Sequence, residues 1–137
     1  MSEQLVKDAM VSEPFSLLAS AATQEAGEAL ARPDVRAVFI CENDGTLVGV
    51  VTRKTLVREV VARGLDPKQT TLGEIAEPPN ATIDASAVLA DAFAYLEEHD
   101  YERVPVVEGG RLVGVLSRAV VQRRLAEDEE VPDTEGA

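Results

Sequence analysis

Displacing the chain by 66 residues lays it over itself. Ala19-Ser20-Ala21 meets Ala85-Ser86-Ala87, Ala26 meets Ala92 and Leu30 meets Leu96. Upstream, Val6, Asp8 and Leu17 meet Leu72, Glu74 and Ile83; downstream, Leu47 to Thr52 meets Leu112 to Ser117 after small indels. An internal duplication fixes the architecture before any single residue is read, because whatever one copy forms the other must form too. The boundaries expected are residues 1–66 for the first repeat, 67–126 for the second and 127–137 for a tail. About 60 residues with one small sheet and two amphipathic helices leave an apolar face open, so neither copy is expected to stand alone.

The second copy is the clearer of the two. Val88, Leu89, Ala92, Phe93 and Leu96 form one stripe of a helix, with Ser86 or Asp84 available as its cap. Val104 to Val107 and Leu112 to Leu116 then read as strands around Gly109-Gly110, a hairpin. In the first copy Ala37 to Ile40 and Leu47 to Val51 flank a longer turn containing Asn43-Asp44-Gly45. Each hairpin runs into a helix, with Leu56, Val57, Val60 and Val61 as the stripe before Gly64 in one copy and Val120, Val121 and Leu125 in the other. The fold class expected is α+β: two tandem units of strand, helix, hairpin and helix, packed through their sheets with pseudo-two-fold symmetry.

Charge and composition exclude several functions. The 137 residues carry a net charge of −12, which disfavours a nucleic-acid backbone as partner. Six acidic residues between Glu127 and Glu135 supply half of that charge, and with Pro132 and Gly136 they read as a solvated, disordered tail. No apolar run approaches the roughly 18 residues that cross a bilayer, so no membrane span is expected. One cysteine, Cys41, excludes an internal disulfide and a multi-cysteine metal site, and together with an acidic start lacking a secretory pattern it fits a reducing cytoplasm. Catalytic groups are scarce. Cys41 ends a strand, and His99 lies in Glu97-Glu98-His99-Asp100, where a solvated or carboxylate-paired imidazole is the ordinary state. Adjacent acids such as Glu97-Glu98 diverge by about 100° on a helix instead of converging on a bond or a metal. No catalytic residue, no metal site and no required cofactor are expected.

The feature that carries chemistry is a junction used twice, Gly49-Val50-Val51-Thr52 and Gly114-Val115-Leu116-Ser117, where a strand ends and a helix begins. A hydroxyl there faces free N–H groups and the positive end of a helix dipole, and the nearby glycine admits a ligand to the backbone. Seven of the 13 basic residues, among them Arg53 and Arg118, lie on these two helices, and Arg36 and Arg103 begin the preceding strands. The plain alternative is that Thr52 and Ser117 are N-caps, each worth about 1 kcal/mol, and that the arginines are solvated.

With these residues in view the chain resembles a tandem CBS-domain pair, the Bateman module, over about residues 5 to 126. The resemblance rests on Val6 to Met10, on Arg103-Val104-Pro105-Val106-Val107 and on the two Leu-Val-Gly-x-x-Thr/Ser junctions. It implies β-α-β-β-α units, a homodimer, and an adenosine-containing ligand (AMP, ADP, ATP, S-adenosylmethionine or NADH) in clefts between the repeats, with regulation in place of catalysis. It further implies that Thr52 and Ser117 contact phosphate or ribose, that Arg53, Arg118, Arg36 and Arg103 pair phosphates, and that Ser16, Thr82, Leu17 and Ile83 line the base. Where the family carries a ribose-gripping Asp, this chain has Thr55 and Val120. Losing such a charge-assisted bond costs about 1.5 to 3 kcal/mol, so the Thr52 site, where Thr55 keeps a hydroxyl, is the stronger of the two. The alternative is a ligand-free dimerisation or protein-docking module that has lost its ribose grips.

Overall fold

The computed structural model describes the backbone of residues 4–12 and 14–136 and side chains as far as residue 127. In chain order it forms α1 (Val6–Ala9), β1 (Val11–Ser12), β2 (Ser16–Leu18), α2 (Thr23–Leu30), β3 (Val38–Cys41), β4 (Leu47–Val51), α3 (Arg53–Leu56) with a π-helical continuation (Val57–Val61), α4 (Leu72–Ile75), β5 (Ile83–Asp84), α5 (Leu89–His99), β6 (Arg103–Glu108), β7 (Arg111–Ser117) and α6 (Arg118–Gly136). Strand, helix, hairpin and helix therefore occur twice, as the duplication requires. α6 takes in the segment from residue 127 that the sequence reading leaves as a disordered tail. Glutamate is a good helix former, and a helix already anchored at Val121 extends at little cost. The tail's side chains from Asp128 onward lie outside the described residues.

The chain divides into two compact units, and these are not the two sequence repeats. One comprises Met1–Glu13, Asn80–Gly109 and Val113–Ala137; the other comprises Pro14–Pro79 and Gly110–Leu112. Each unit is thus a β-α-β-β-α repeat joined by the short lead-in helix of the other repeat.

In the first unit a four-stranded sheet runs β1-β7-β6-β5, with β5 parallel to β6 and β1 antiparallel to β7. Its core holds Val6 and Ala9 of α1 together with Leu89, Ala92 and Leu96 of α5, Val104, Val106, Leu116 and Val121. The stripe read on α5 is the buried one, although Val88 is its N-cap; Asp84 and Ser86 instead close a turn before it, Asp84 Oδ1 accepting from Ser86 N at 2.8 Å. Gly109 and Gly110 take φ of 61° and 82°, the left-handed pair that a tight hairpin needs. The second unit has a three-stranded sheet in the order β2-β3-β4, and its core joins Ala26, Leu30, Val38, Ile40, Val51 and Val60 to Leu72 and Ile75 of α4.

The lead-in helices dock in the same way in both units. Val6 N donates to Ala87 O at 2.8 Å and Lys7 N to Ala85 O at 3.0 Å; Leu72 N donates to Ala21 O and Gly73 N to Ala19 O, both at 2.8 Å. These pairs coincide under the 66-residue displacement. Each helix satisfies backbone donors and buries a large aliphatic residue where a 60-residue repeat would leave its face open.

The helix after β4 departs from an ideal stripe. Beyond Leu56 it widens into a π-turn, with Ala62 N bonded to Val57 O at 2.8 Å, until Gly64 ends it at φ 68°. The wider turn puts Val60 in the core and leaves Val57 and Val61 57% and 71% exposed.

Candidate functional site

The first junction lies in the unit of Pro14–Pro79. Thr52 is the N-cap of α3 in an extended conformation, and its Oγ1 accepts from Thr55 N at 3.3 Å. Thr55 Oγ1 accepts from Thr52 N at 3.0 Å, which closes a reciprocal capping box. Thr55 is 0% exposed, and its hydroxyl donates to Glu77 Oε2 at 2.8 Å. A hydroxyl has one proton and two lone pairs. With the Thr55 proton on Glu77, the 3.1 Å contact between the two threonine oxygens must be donated by Thr52. The Thr55 hydroxyl is then fully used, and the free hydroxyl expected there for a ribose is absent because the cap and Glu77 take it. Thr52 keeps one acceptor lone pair.

Glu77 is the residue that sequence reasoning missed. It pairs with β4 through Val50, Val50 N donating to Glu77 O at 2.8 Å and Glu77 N to Val50 O at 3.0 Å, and its second carboxylate oxygen is ion-paired with Arg58. The signal was present: under the 66-residue displacement Glu77 stands where Val11 stands, and Val11 pairs with Val115 as Glu77 pairs with Val50. The glycine of the motif serves this contact. A Cβ on Gly49 would stand 2.5 Å from Glu77 O, and one on Gly114 2.6 Å from Met10 Sδ and 2.8 Å from Val11 O. Gly49 thus admits the Glu77 backbone, and Gly114 admits Met10 and Val11.

Arg53 and Arg118 turn back onto their own repeats. Arg53 Nη2 donates to Arg32 O and Val35 O, both at 2.8 Å, which satisfies carbonyls of the loop between α2 and β3. Arg118 Nη1 lies 3.2 Å from Asp100 Oδ1, where Asp100 ends α5 in the left-handed conformation, and Nη2 lies 4.0 Å from Glu102. Both guanidinium groups bond to the segment between the first helix of their repeat and its hairpin.

The other expected site residues divide between the units. Ser16 and Leu17 lie on β2 and Arg36 just before β3; Ser16 and Arg36 are exposed, while Leu17 packs on the core of its unit. In the other unit Thr82 and Arg103 are exposed, Ser117 ends β7, Val120 is half-buried and Ile83, 8% exposed, packs in the core of its unit. Among the described residues Ser16, Arg36, Thr82, Arg103 and Ser117 have no side-chain hydrogen bond or ion pair.

Cys41 is buried, and desolvation pushes its thiol pKa up, away from the thiolate. His99, in the other unit, stacks with Tyr101 and Tyr95, ring centroids 5.4 and 4.3 Å away, and its Nδ1 lies 3.0 Å from Tyr95 O. Among the described residues no helix is long and apolar enough to cross a membrane.

Against known proteins, the sequence profile of the CBS domain matches residues 6–62 and 72–127. Hypoxic response protein 1 of Mycobacterium tuberculosis is 38% identical over 94 residues, which span 69% of this chain and 66% of that protein, slightly under two thirds of its length. The crystal structure of Hypoxic Response Protein I with two coordinated zinc ions superposes with a TM-score of 0.74 at 30% identity, covering 88% of this chain and 98% of the other. CBSX2 of Arabidopsis thaliana, in complex with AMP, superposes with a TM-score of 0.71 at 25% identity, covering 91% and 98%. A structural zinc site takes about four nitrogen, sulfur or carboxylate ligands. Among the described residues no three His, Cys, Asp or Glu side chains gather so as to hold a metal ion. With the profile matched twice and the β-α-β-β-α unit formed twice, the chain belongs to the CBS domain family and carries its two CBS domains as a tandem pair.

Proposed function

We propose that this CBS pair is a regulatory, non-catalytic module of the cytoplasm that binds an adenosine-containing ligand at the Thr52 junction and signals through a homodimer. The observation that carries the reading is the state of Thr52: half-buried, held by the capping box, with an acceptor lone pair to spare. In the same unit Lys54, two residues after Thr52, and Arg36, just before β3, are exposed cations without an ion-pair partner among the described residues, of the charge that a 5′-phosphate requires. The complex of CBSX2 with AMP supports the ligand class. The second junction is weaker, since Val120 offers no acceptor and Arg118 is already paired. Val57 and Val61, exposed one turn apart, support an apolar dimer contact. Ligand binding alters a partner's activity only by as much as the ligand prefers one arrangement of the module over another.

The same contacts favour a second reading, a ligand-free docking or dimerisation module, because the Thr55 hydroxyl and the Arg53 guanidinium are already engaged. A thermal-shift panel with AMP, ADP, ATP, S-adenosylmethionine and NADH separates the two. A ligand at 100 times its Kd adds about 2.7 kcal/mol of stability, which is several degrees for a domain of this size. The sensor reading predicts a saturable rise with at least one of the five. No rise with any at millimolar concentration leaves the docking module.

A further inference from the structure

We infer that Glu77 accepts the sugar hydroxyls of the bound nucleotide and makes the site selective for ribose over deoxyribose. This rests on the adenosine reading above and adds a residue to it. A cis-diol is best held by a fixed carboxylate, whose two oxygens accept both hydroxyls, and position 55 supplies none. Thr55 instead anchors one: Glu77 Oε2 lies 2.8 Å from its hydroxyl, so the carboxylate stands one hydrogen bond out from the buried Thr55 side chain. The group is fixed twice more, by the two backbone bonds between Glu77 and Val50 and by the ion pair with Arg58. It is also accessible, with 39% of its side chain exposed. A carboxylate offers about four lone-pair directions, of which Thr55 and Arg58 take two, leaving one on each oxygen for a diol. Arg58 balances the carboxylate, so a phosphate-bearing ligand does not meet an uncompensated negative charge.

Calorimetric titration with AMP and 2′-deoxy-AMP tests the assignment. The wild-type chain is expected to prefer AMP by about tenfold or more, the worth of a hydrogen bond to a charged acceptor. Glu77→Gln is expected to bring the ratio close to one. Should Glu77→Gln not fold, Glu77→Asp draws the carboxylate back by one methylene and is expected to lose the preference in the same way. A general loss of structure would weaken both nucleotides alike and leave the ratio unmoved. A folded Glu77→Gln chain that keeps the wild-type ratio overturns the assignment, as does a wild-type chain that binds both nucleotides equally. A wild-type chain that binds neither overturns the adenosine reading together with it.

Discussion

Gly49→Ala is expected to destabilise the protein by about 3 kcal/mol, lowering its melting temperature by roughly 10 °C. The added Cβ would stand 2.5 Å from Glu77 O, 3.1 Å from Ala76 Cβ and 3.2 Å from Glu77 C. The obstacle is backbone, and it cannot swing aside as a side chain would. Relief requires moving residues 76–77 off β4, which breaks the reciprocal Val50–Glu77 hydrogen bonds of 2.8 and 3.0 Å and draws Glu77 from Thr55. Gly27→Ala is the matching control. Its Cβ would meet only Leu56 Cδ1 at 3.9 Å, ordinary contact, and within α2 alanine is favoured over glycine by about 0.5 to 1 kcal/mol. One glycine-to-alanine change should therefore lower the melting temperature and the other raise it slightly. Thermal denaturation of both variants checks the pair, and a neutral Gly49→Ala would mean that the strand at Glu77 does not lie against this glycine.

Leu72→Ala is expected to cost about 2 to 5 kcal/mol, because Leu72 is fully buried and its removal leaves a cavity. Where the loss appears matters more than its size. Leu72 belongs by sequence to the second repeat, yet it is packed with Ala26, Leu30, Val38, Ile40 and Val51 of the first. Hydrogen exchange in the variant should therefore speed up most in α2, β3 and β4, with β6 and α5 less affected. Faster exchange confined to β6 and α5 would show that α4 is packed on its own repeat.

The repeat, the two hairpins and the helices were legible in the sequence because each rests on a local signal. Leu89, Ala92 and Leu96 keep a helical period, Gly109-Gly110 marks a turn that needs positive φ, and Gly64 ends its helix in the same conformation. The exchange of lead-in helices was not legible. Val6 and Leu72 are apolar in either packing, and no local signal says which repeat will bury them. The glycines of the junctions announced a close approach without naming what approaches, and the structure fills that space with Glu77 in one unit and with Met10 and Val11 in the other. Residue type at Thr55, Arg53 and Arg118 was equally silent on partners. A hydroxyl or a guanidinium bonds whatever acceptor the fold delivers, and here the fold delivers the Glu77 carboxylate, the Arg32 and Val35 carbonyls, and Asp100. A sequence pattern thus locates the junction, and the partners decide how much of it stays open to a ligand.

Binding of an adenosine ligand at the Thr52 junction is tested most directly by an amide-resolved NMR titration of the isotope-labelled chain with AMP. Saturable shifts are expected to concentrate at Gly49 to Thr55 and at Glu77, larger than those at Gly114 to Ser117. Millimolar AMP that moves no amide in either unit, or only amides remote from both junctions, would contradict it.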